Sequence, residues 1–438
     1  MEYNNIKWVS VDTTKTINST DGETPTGTYQ FLYAGSNLST IDNICDGYHV
    51  IKGKFTTTDT ALVNTSANDT LALNAGIVSN IIASFFKSAN LNINNTSVSN
   101  IDEWSTHMNG YKLVNSSEYY EKTSSQSPYL LDDGFSDIAL FVTDLDDRKK
   151  SHINTRIRNK LIIYEIRNIN TDVGDNTYNF SIAFPFPFLQ NGSKTQSLYS
   201  TNKLTVTYQT NTSIKQDCFV GIDSTKLTDL TLKITHFTLN LPLRKIVNAI
   251  TSFDKLVFYD CASIQKSHIQ SRYSIDVPRN SQLIAIWFSY ASGSKVEDSF
   301  LLDTNLPNAL TLGTTLNSFY MQFLNENYPP SQYDFTTNVD LERGYNDYIR
   351  TIKSWNAQDV PIITDLDTYK ANPVFVFEVG SVVNEVGSTL LNIYLSSPQT
   401  PESAKPRTLN VCCYSKKQLM ITYGEFSEIK NTEVSIAV

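Results

Sequence analysis

The sequence predicts an all-β protein made of two consecutive β-rich domains with short helices inserted between strands. Three observations carry this. Only 18% of the 438 residues are charged, while Tyr (24) and Phe (22) are abundant, and aromatic and β-branched side chains suit pleated, half-buried surfaces. Period-two runs bounded by turn residues recur from one end to the other. The length exceeds one simple sandwich and fits two domains of roughly 200 residues each.

Residues 1–27 read as a polar N-terminal arm with little core of its own, and residues 28–241 as the first domain. TYQFLYA (28–34) and YHVIKGKF (48–55) alternate as strands. Residues 71–89 carry Ile77, Ile81, Ile82, Phe85 and Phe86 at near-helical spacing, with a buried strand left open for part of the run. LNINNTSVS turns at its Asn-Asn pair. The segment after it, IDEWSTHMNGYKL, reads as a helix with Asn100 as its cap and Trp104, Met108 and Tyr111 on one face. DIALFVTDL, KLIIYEIRNI, YNFSIAFPF and KLTVTYQT continue as strands, and LTDLTLKITHFTLNL is a long strand with one wet face.

PLRKIVNAITSF interrupts that alternation, so residues 242–254 read as a linker helix at the domain junction, with Pro242 in its first turn. Residues 255–438 form the second domain and its C-terminal tail. KLVFYDCA, QLIAIWFSY, NSFYMQFL, NPVFVFEV, TLLNIYLSS and TLNVCCYS are its strands, with SKKQ expected to turn the chain into LMITYGEF. Tyr328-Pro329-Pro330 reads as a rigid turn in which a cis bond is allowed. Leu341, Tyr345, Tyr348, Ile349, Ile352 and Trp355 then recur at i, i+4, i+7, i+8, i+11 and i+14, an amphipathic helix with Asp340 at its start. Such a helix either covers a sheet edge or makes a subunit contact, with Tyr345, Tyr348, Ile349, Ile352 and Trp355 as its contact residues.

Charge and motif content exclude several functions. The net charge is −9 and the pI about 5.1, whereas a protein that grips nucleic acid through phosphates is basic. The one basic cluster is Lys149, Lys150, Arg156, Arg158 and Lys160. It reads as a charged strand edge, a DNA-facing patch or a nuclear import signal. MEYNNIKWVS has no secretory leader pattern, and no apolar run reaches membrane-spanning length, so the expectation is a soluble protein made in the cytosol. The sequons at Asn18, Asn37, Asn64, Asn94, Asn115, Asn191 and Asn211 then reflect Asn, Ser and Thr abundance more than glycosylation.

Cys45, Cys218, Cys261, Cys412 and Cys413 are odd in number and scattered, the pattern of buried free thiols. Cys412 and Cys413 fall next to each other in a strand and so face opposite sides. His49, His107, His152, His236 and His268 form no H-x-H or H-E-x-x-H pair, which leaves no zinc signature. Neither a G-x-S-x-G elbow nor a P-loop occurs. Asp132, Asp133, Asp137, Asp144, Asp146 and Asp147 match no EF-hand spacing and run into Arg148 and Lys149, a self-neutralising turn. No catalytic, cofactor or metal residues are expected.

The order of these segments resembles the double jelly-roll major capsid proteins, the lineage of Polinton-like viruses, virophages and, more distantly, adenovirus hexons. The likeness rests on FFKSANLNINNTSVSNIDEWSTHMNGY (85–111), SIAFPFPFLQNGSKTQSLYSTNKLTVTY (181–208) and IQSRYSIDVPRNSQLIAIWF (269–288). It continues through LNSFYMQFLNENYPP, GYNDYIR and the closing NIYLSSPQTPESAKPRTLNVCCYSKKQLMITYGE. It implies two consecutive eight-stranded jelly rolls. It also implies a structural, non-enzymatic subunit whose homotrimers have a pseudo-hexameric outline and tile an icosahedral shell around a DNA genome.

The partners it implies are other copies of the chain, then penton and minor capsid proteins, without sequence-specific nucleic-acid binding. Whether an internal membrane lies beneath the shell is not indicated. The site of action would be the virion, assembled in a viral factory or nucleus. The alternative readings are a carbohydrate-binding β-sandwich adhesin or lectin, and a minor or penton capsid protein of the same virus type. A β-sandwich glycosidase would need a facing carboxylate pair, and none announces itself.

Overall fold

A computed structural model describes residues 7–13, 27–35, 39–41, 44–57, 76–77, 82–114, 176–189, 198–199, 202–214, 217, 219–220, 230–245, 253–267, 270–290, 310–356, 366–371, 373–380, 387–396, 407–423 and 429–436. The first half contains β1 (Lys7–Asp12), β2 (Thr28–Tyr33), β3 (Ser39–Ile41), β4 (Tyr48–Thr57), β5 (Gly76–Ile77), α1 (Ile82–Phe85), β6 (Phe86–Ile93) and β7 (Thr96–Ile101). It continues with α2 (Trp104–Val114), β8 (Asn176–Pro185), β9 (Leu198–Tyr199), β10 (Leu204–Thr210), β11 (Phe219–Val220) and β12 (Leu230–Lys245). The second half contains β13 (Phe253–Ser267), β14 (Arg272–Pro278), β15 (Ser281–Tyr290), β16 (Ser318–Phe323), β17 (Glu326–Asp334) and α3 (Asn338–Asn356). It ends with α4 (Leu366–Ala371), β18 (Val374–Glu378), β19 (Ser388–Ser396), β20 (Arg407–Tyr423) and β21 (Ile429–Ile436).

Both halves follow one pairing scheme. In the first, β1-β12-β4-β8 make one sheet and β2-β10-β6-β7 the other; in the second, β13-β20-β15-β18 face β14-β19-β16-β17. All these pairings are antiparallel. First strand beside last and second beside next-to-last is the jelly-roll order. No described sheet mixes strands from before residue 246 with strands from after 252.

Side-chain alternation builds the sandwiches. Tyr29, Phe31 and Tyr33 of β2, Leu204, Val206 and Tyr208 of β10, and Phe319, Met321 and Phe323 of β16 point inward and are buried, while their neighbours are wet. β15 and β20 depart from this. Leu283 to Phe288 and Thr408 to Ser415 are buried on both faces, because helices cover the outer side of that sheet. A continuous apolar run such as LIAIWF is the sequence form of a strand with no wet face.

The two rolls also share a local device. The hairpins β6-β7 and β16-β17 turn through Asn94-Asn95 (φ 52° and 67°) and Leu324-Asn325 (φ 50° and 66°). Two successive positive φ values define the tight turn whose twist matches the flanking strands. Asn accepts this conformation readily, and Leu324 adopts it while packing against the core.

Several expectations are corrected. Within the supposed arm, Lys7–Asp12 is the opening strand of the first roll, pairing with β12 from Lys7↔Leu243 to Asp12↔Thr238. Its Val9 and Val11 supply the inward alternation that the polar surroundings obscure. Residues 242–245 of the supposed linker helix continue β12: the inward series Leu239, Leu241, Leu243 prevails over the proline. The rest of that segment, 246–252, lies outside the described residues.

SKKQ is not a turn, since β20 runs through it, paired with β13 along its whole length. Tyr328-Pro329-Pro330 lies inside β17. Its Tyr328–Pro329 bond is cis, and the register jumps from Met321↔Tyr328 to Phe319↔Tyr333, a bulge that takes the prolines off the ladder. In 71–89, Ile82–Phe85 is a helical turn and Phe86 already begins β6. Asn100 does not cap α2. It belongs to β7 and its side chain meets Asp102, while the helix starts at Trp104.

Candidate assembly surfaces

The two rolls meet along a seam, and this seam and the outer faces are the chain's candidate contact surfaces. The seam is built around α2. Trp104 plugs the first roll, its Nε1 donating to the Ile82 carbonyl at 2.8 Å and its ring edge-on to Phe86 and Tyr208. The helix's other side meets β13, β15 and β20 of the second roll. Thr106 Oγ1 donates to Asn410 Oδ1 at 2.8 Å, and Cys412 Sγ contacts the Thr106 carbonyl at 3.6 Å. Gly110 makes this approach possible: a Cβ there would lie 2.5 Å from Cys412 Sγ and 2.9 Å from the Trp287 ring.

Polar groups lock the seam on either side of α2. Ser99 Oγ donates to Asp260 Oδ1 at 2.6 Å, and Lys417 pairs with the same carboxylate. Asn202 Nδ2 donates to the Tyr423 hydroxyl at 2.7 Å. Asn94 Nδ2, in the β6-β7 turn, donates to Asn202 Oδ1 at 2.8 Å and to Thr432 Oγ1 of β21 at 3.0 Å. Each is a hydrogen bond between partly or fully buried groups, where an unpaired partner would cost about 1–3 kcal/mol.

The helix predicted at 341–355 is α3. Leu341, Tyr348 and Ile352 are buried, and Tyr345, Ile349 and Trp355 are partly buried against the core. Tyr345 and Tyr348 pack on Tyr369 of α4, Tyr348 Oη donates to the Leu113 carbonyl at 3.4 Å, and Trp355 meets Tyr259 and Tyr414. The apolar stripe thus covers the chain's own second roll and reaches the end of α2. Asp340, the third residue of the helix, accepts from the Asp334 N–H at 2.7 Å and pairs with Arg343. Arg343 lies over the Tyr333 ring at 4.6 Å. The basic cluster Lys149, Lys150, Arg156, Arg158 and Lys160, and the aspartates 132–147, lie outside the described residues.

Burial holds His49 and two thiols of the core neutral. His49 is fully buried, stacked on Phe184 at 4.8 Å and 3.0 Å from the Tyr208 hydroxyl; burial pushes its pKa down to about 3. Burial also raises the thiols of Cys261 and Cys413, which keeps them protonated and unreactive. His236 sits at a bulge in β12, exposed, 3.9 Å from Asp12. Among the described residues, no cluster of three or more His, Cys, Asp or Glu is arranged to hold a metal ion, and no helix is long and apolar enough to cross a membrane.

The seam residues Ser99, Thr106, Gly110, Asp260, Asn410 and Thr432 were not singled out from sequence. The signal they leave in the sequence is slight, a polar residue interrupting an apolar run, as at Asn410 in TLNVCC.

No protein-family profile matches the sequence, and no curated protein is similar to it in sequence. Solved structures do match. The mavirus major capsid protein is 10% identical with a TM-score of 0.55, over 98% of this chain and 90% of that one. A chain of the Sputnik virophage is 10% identical with a TM-score of 0.60, over 99% of this chain and 89% of that one. At such identity the likeness is one of fold, and the fold of this chain is the double jelly roll seen in the mavirus major capsid protein.

Proposed function

We propose that the chain is the major capsid protein of a DNA virus, a structural subunit whose homotrimers tile an icosahedral shell. The observation that carries the proposal is the repeated strand order: two jelly rolls of one topology in one chain, in a fold shared over almost the whole length with a viral major capsid protein. Three such chains present six similar rolls, so a trimer can occupy a hexagonal lattice position while its own symmetry closes. The rigid seam supports this role, because a lattice needs the two rolls to behave as one body. Further copies of the trimer, with penton and minor capsid proteins at the remaining positions, complete the shell in the virion.

The test is the native mass of the purified protein by light scattering, with negative-stain images of the same peak. A mass near 147.9 kDa, three times 49.3 kDa, with a hexagonal outline supports the capsomer. A 49.3 kDa species at every concentration and in the presence of the other shell proteins refutes it.

A further inference from the structure

The two rolls share one topology, so each outward position on a sheet of one has a counterpart in the other. A mismatch between counterparts marks something the fold alone does not require. On the first roll, the outer face of β2-β10-β6-β7 carries the cross-strand rung Gln30–Thr207–Asn90. That rung is uncharged, and the face is partly self-bonded: Asn90 Nδ2 donates to Ser97 Oγ at 3.3 Å, and Ser88 Oγ to Gln209 Oε1 at 3.2 Å. Counted back from the matching turns Asn94-Asn95 and Leu324-Asn325, the counterpart rung of the second roll is Arg272–Tyr394–Tyr320.

The exchange builds a stack that nothing in the chain completes. Tyr394 and Tyr320 lie ring on ring, 4.5 Å apart and 7° from parallel. The Arg272 guanidinium lies over Tyr394 at 5.2 Å from the opposite neighbouring strand. The register jump in β17 leaves no residue opposite Tyr320, and among the described residues its ring meets no ring or cation except Tyr394. The next rung is Ser274–Asn392–Gln322–Asn327. Ser274 Oγ donates to Asn392 Oδ1 at 2.7 Å. Among the described residues, Asn392 Nδ2, the amides of Gln322 and Asn327 and both tyrosine hydroxyls make no hydrogen bond to protein.

An open aromatic face beside a row of unengaged amides matches the two sides of a saccharide. The C–H face of a sugar ring packs on the aromatic ring, and its hydroxyls, each both donor and acceptor, exchange hydrogen bonds with the amides. The local charge selects further. Arg272 shares these rungs with Asp276 and Asp334, a negative balance that disfavours a polyanion and suits a neutral ligand. We infer that the outer β14-β19-β16-β17 face of the second roll binds a neutral saccharide. Tyr320 is its platform, Gln322 and Asn327 hold its hydroxyls, and the Arg272–Tyr394 stack holds Tyr320 in place. The first roll has no such rung, so each chain carries one site.

The test probes the intact protein on an array of neutral, sialylated and sulfated oligosaccharides, and with fluorescent oligo-dT by anisotropy. Binding to neutral oligosaccharides is expected, with a calorimetric stoichiometry of one per chain. Tyr320→Ala and Gln322→Ala should each weaken it by about tenfold, and Tyr320→Phe should recover most of the loss by restoring the ring. Gln322→Ala leaves the stack intact and so separates lost binding from lost folding. Thr207→Ala, at the counterpart position of the first roll, should bind as the parent does. A parent that binds no neutral oligosaccharide at millimolar concentration overturns the inference, as does binding confined to the anionic glycans or to oligo-dT. Neutral binding that survives both Tyr320→Ala and Gln322→Ala overturns this site. A Tyr320→Ala protein that keeps its circular dichroism but changes its native mass shows a contact between copies instead, and overturns it too. None of these results bears on the capsomer.

Discussion

Replacing Gly110 by alanine sets two effects of known sign against each other at the seam. Position 110 lies inside α2, where glycine costs a helix about 0.5–1 kcal/mol relative to alanine. On helix propensity alone, Gly110→Ala should stabilise. The added Cβ, however, would stand 2.5 Å from Cys412 Sγ, 2.9 Å from the Trp287 ring and 3.3 Å from Cys412 Cβ. These partners are fully buried, so neither can swing into solvent, and the rolls must part or the strand must shift. Overpacking of this kind costs about 1–3 kcal/mol. The expected net effect is a loss of about 1–2 kcal/mol, read as a lower urea midpoint by tryptophan fluorescence, since Trp104 and Trp287 flank the seam.

Cys412→Ala removes the closest contact, so the pair should be coupled. The double variant Gly110→Ala/Cys412→Ala should lose less than the two single losses added together, by more than about 0.5 kcal/mol. A Gly110→Ala protein as stable as the parent, or a double variant that is simply additive, would refute the claim that the two rolls meet at backbone distance here.

Other measurements reach other parts of the structure. His49 titrates near 6.5 when unfolded and about 3 when folded. The unfolded chain therefore binds the extra proton between those values, and stability falls as pH drops from 6.5 toward 3, by up to about tenfold in the folding equilibrium per pH unit; His49→Phe should flatten that part of the profile in urea titrations at several pH values. Asn94→Ala removes the bonds to Asn202, Thr432 and the Lys203 N–H and places alanine at φ 52°. It should cost about 2–3 kcal/mol, and Asn94→Gly less, because glycine keeps the turn. Cys261, Cys412 and Cys413 are buried, so mass spectrometry after brief alkylation of the native protein should find them unmodified, and modified once urea unfolds it.

Much of the architecture was legible because strands with one wet face write their alternation into the sequence. TYQFLY and KLTVTYQT needed nothing further. The long β12 was visible in LTDLTLKITHFTLNL, and the amphipathic stripe of α3 in its spacing. What failed did so for identifiable reasons. β1 is short and runs straight into a polar stretch, so its Val9 and Val11 gave too little pattern until β12 was there to pair with. Pro242 and SKKQ carry local signals for a helix start and a turn, yet each sits in a strand whose ladder with β1 or β13 outweighs one residue's preference. Pairing across more than a hundred residues of chain is tertiary information, and local propensity cannot report it.

The seam was hidden for a related reason, and this bears on the proposed role. Thr106, Asn410, Asp260 and Ser99 would be unremarkable on a surface; they become structural only because two rolls bring them together. An apolar seam could hold two sandwiches in several relative positions, since apolar contact is non-directional. Hydrogen bonds between specific buried partners fail when the register changes, leaving groups unpaired at about 1–3 kcal/mol each. A subunit that has to present two similar rolls at a fixed angle to its neighbours needs that discrimination more than it needs added stability. A seam made of paired polar groups around one glycine, with neutral thiols beside it, provides the discrimination within a single chain.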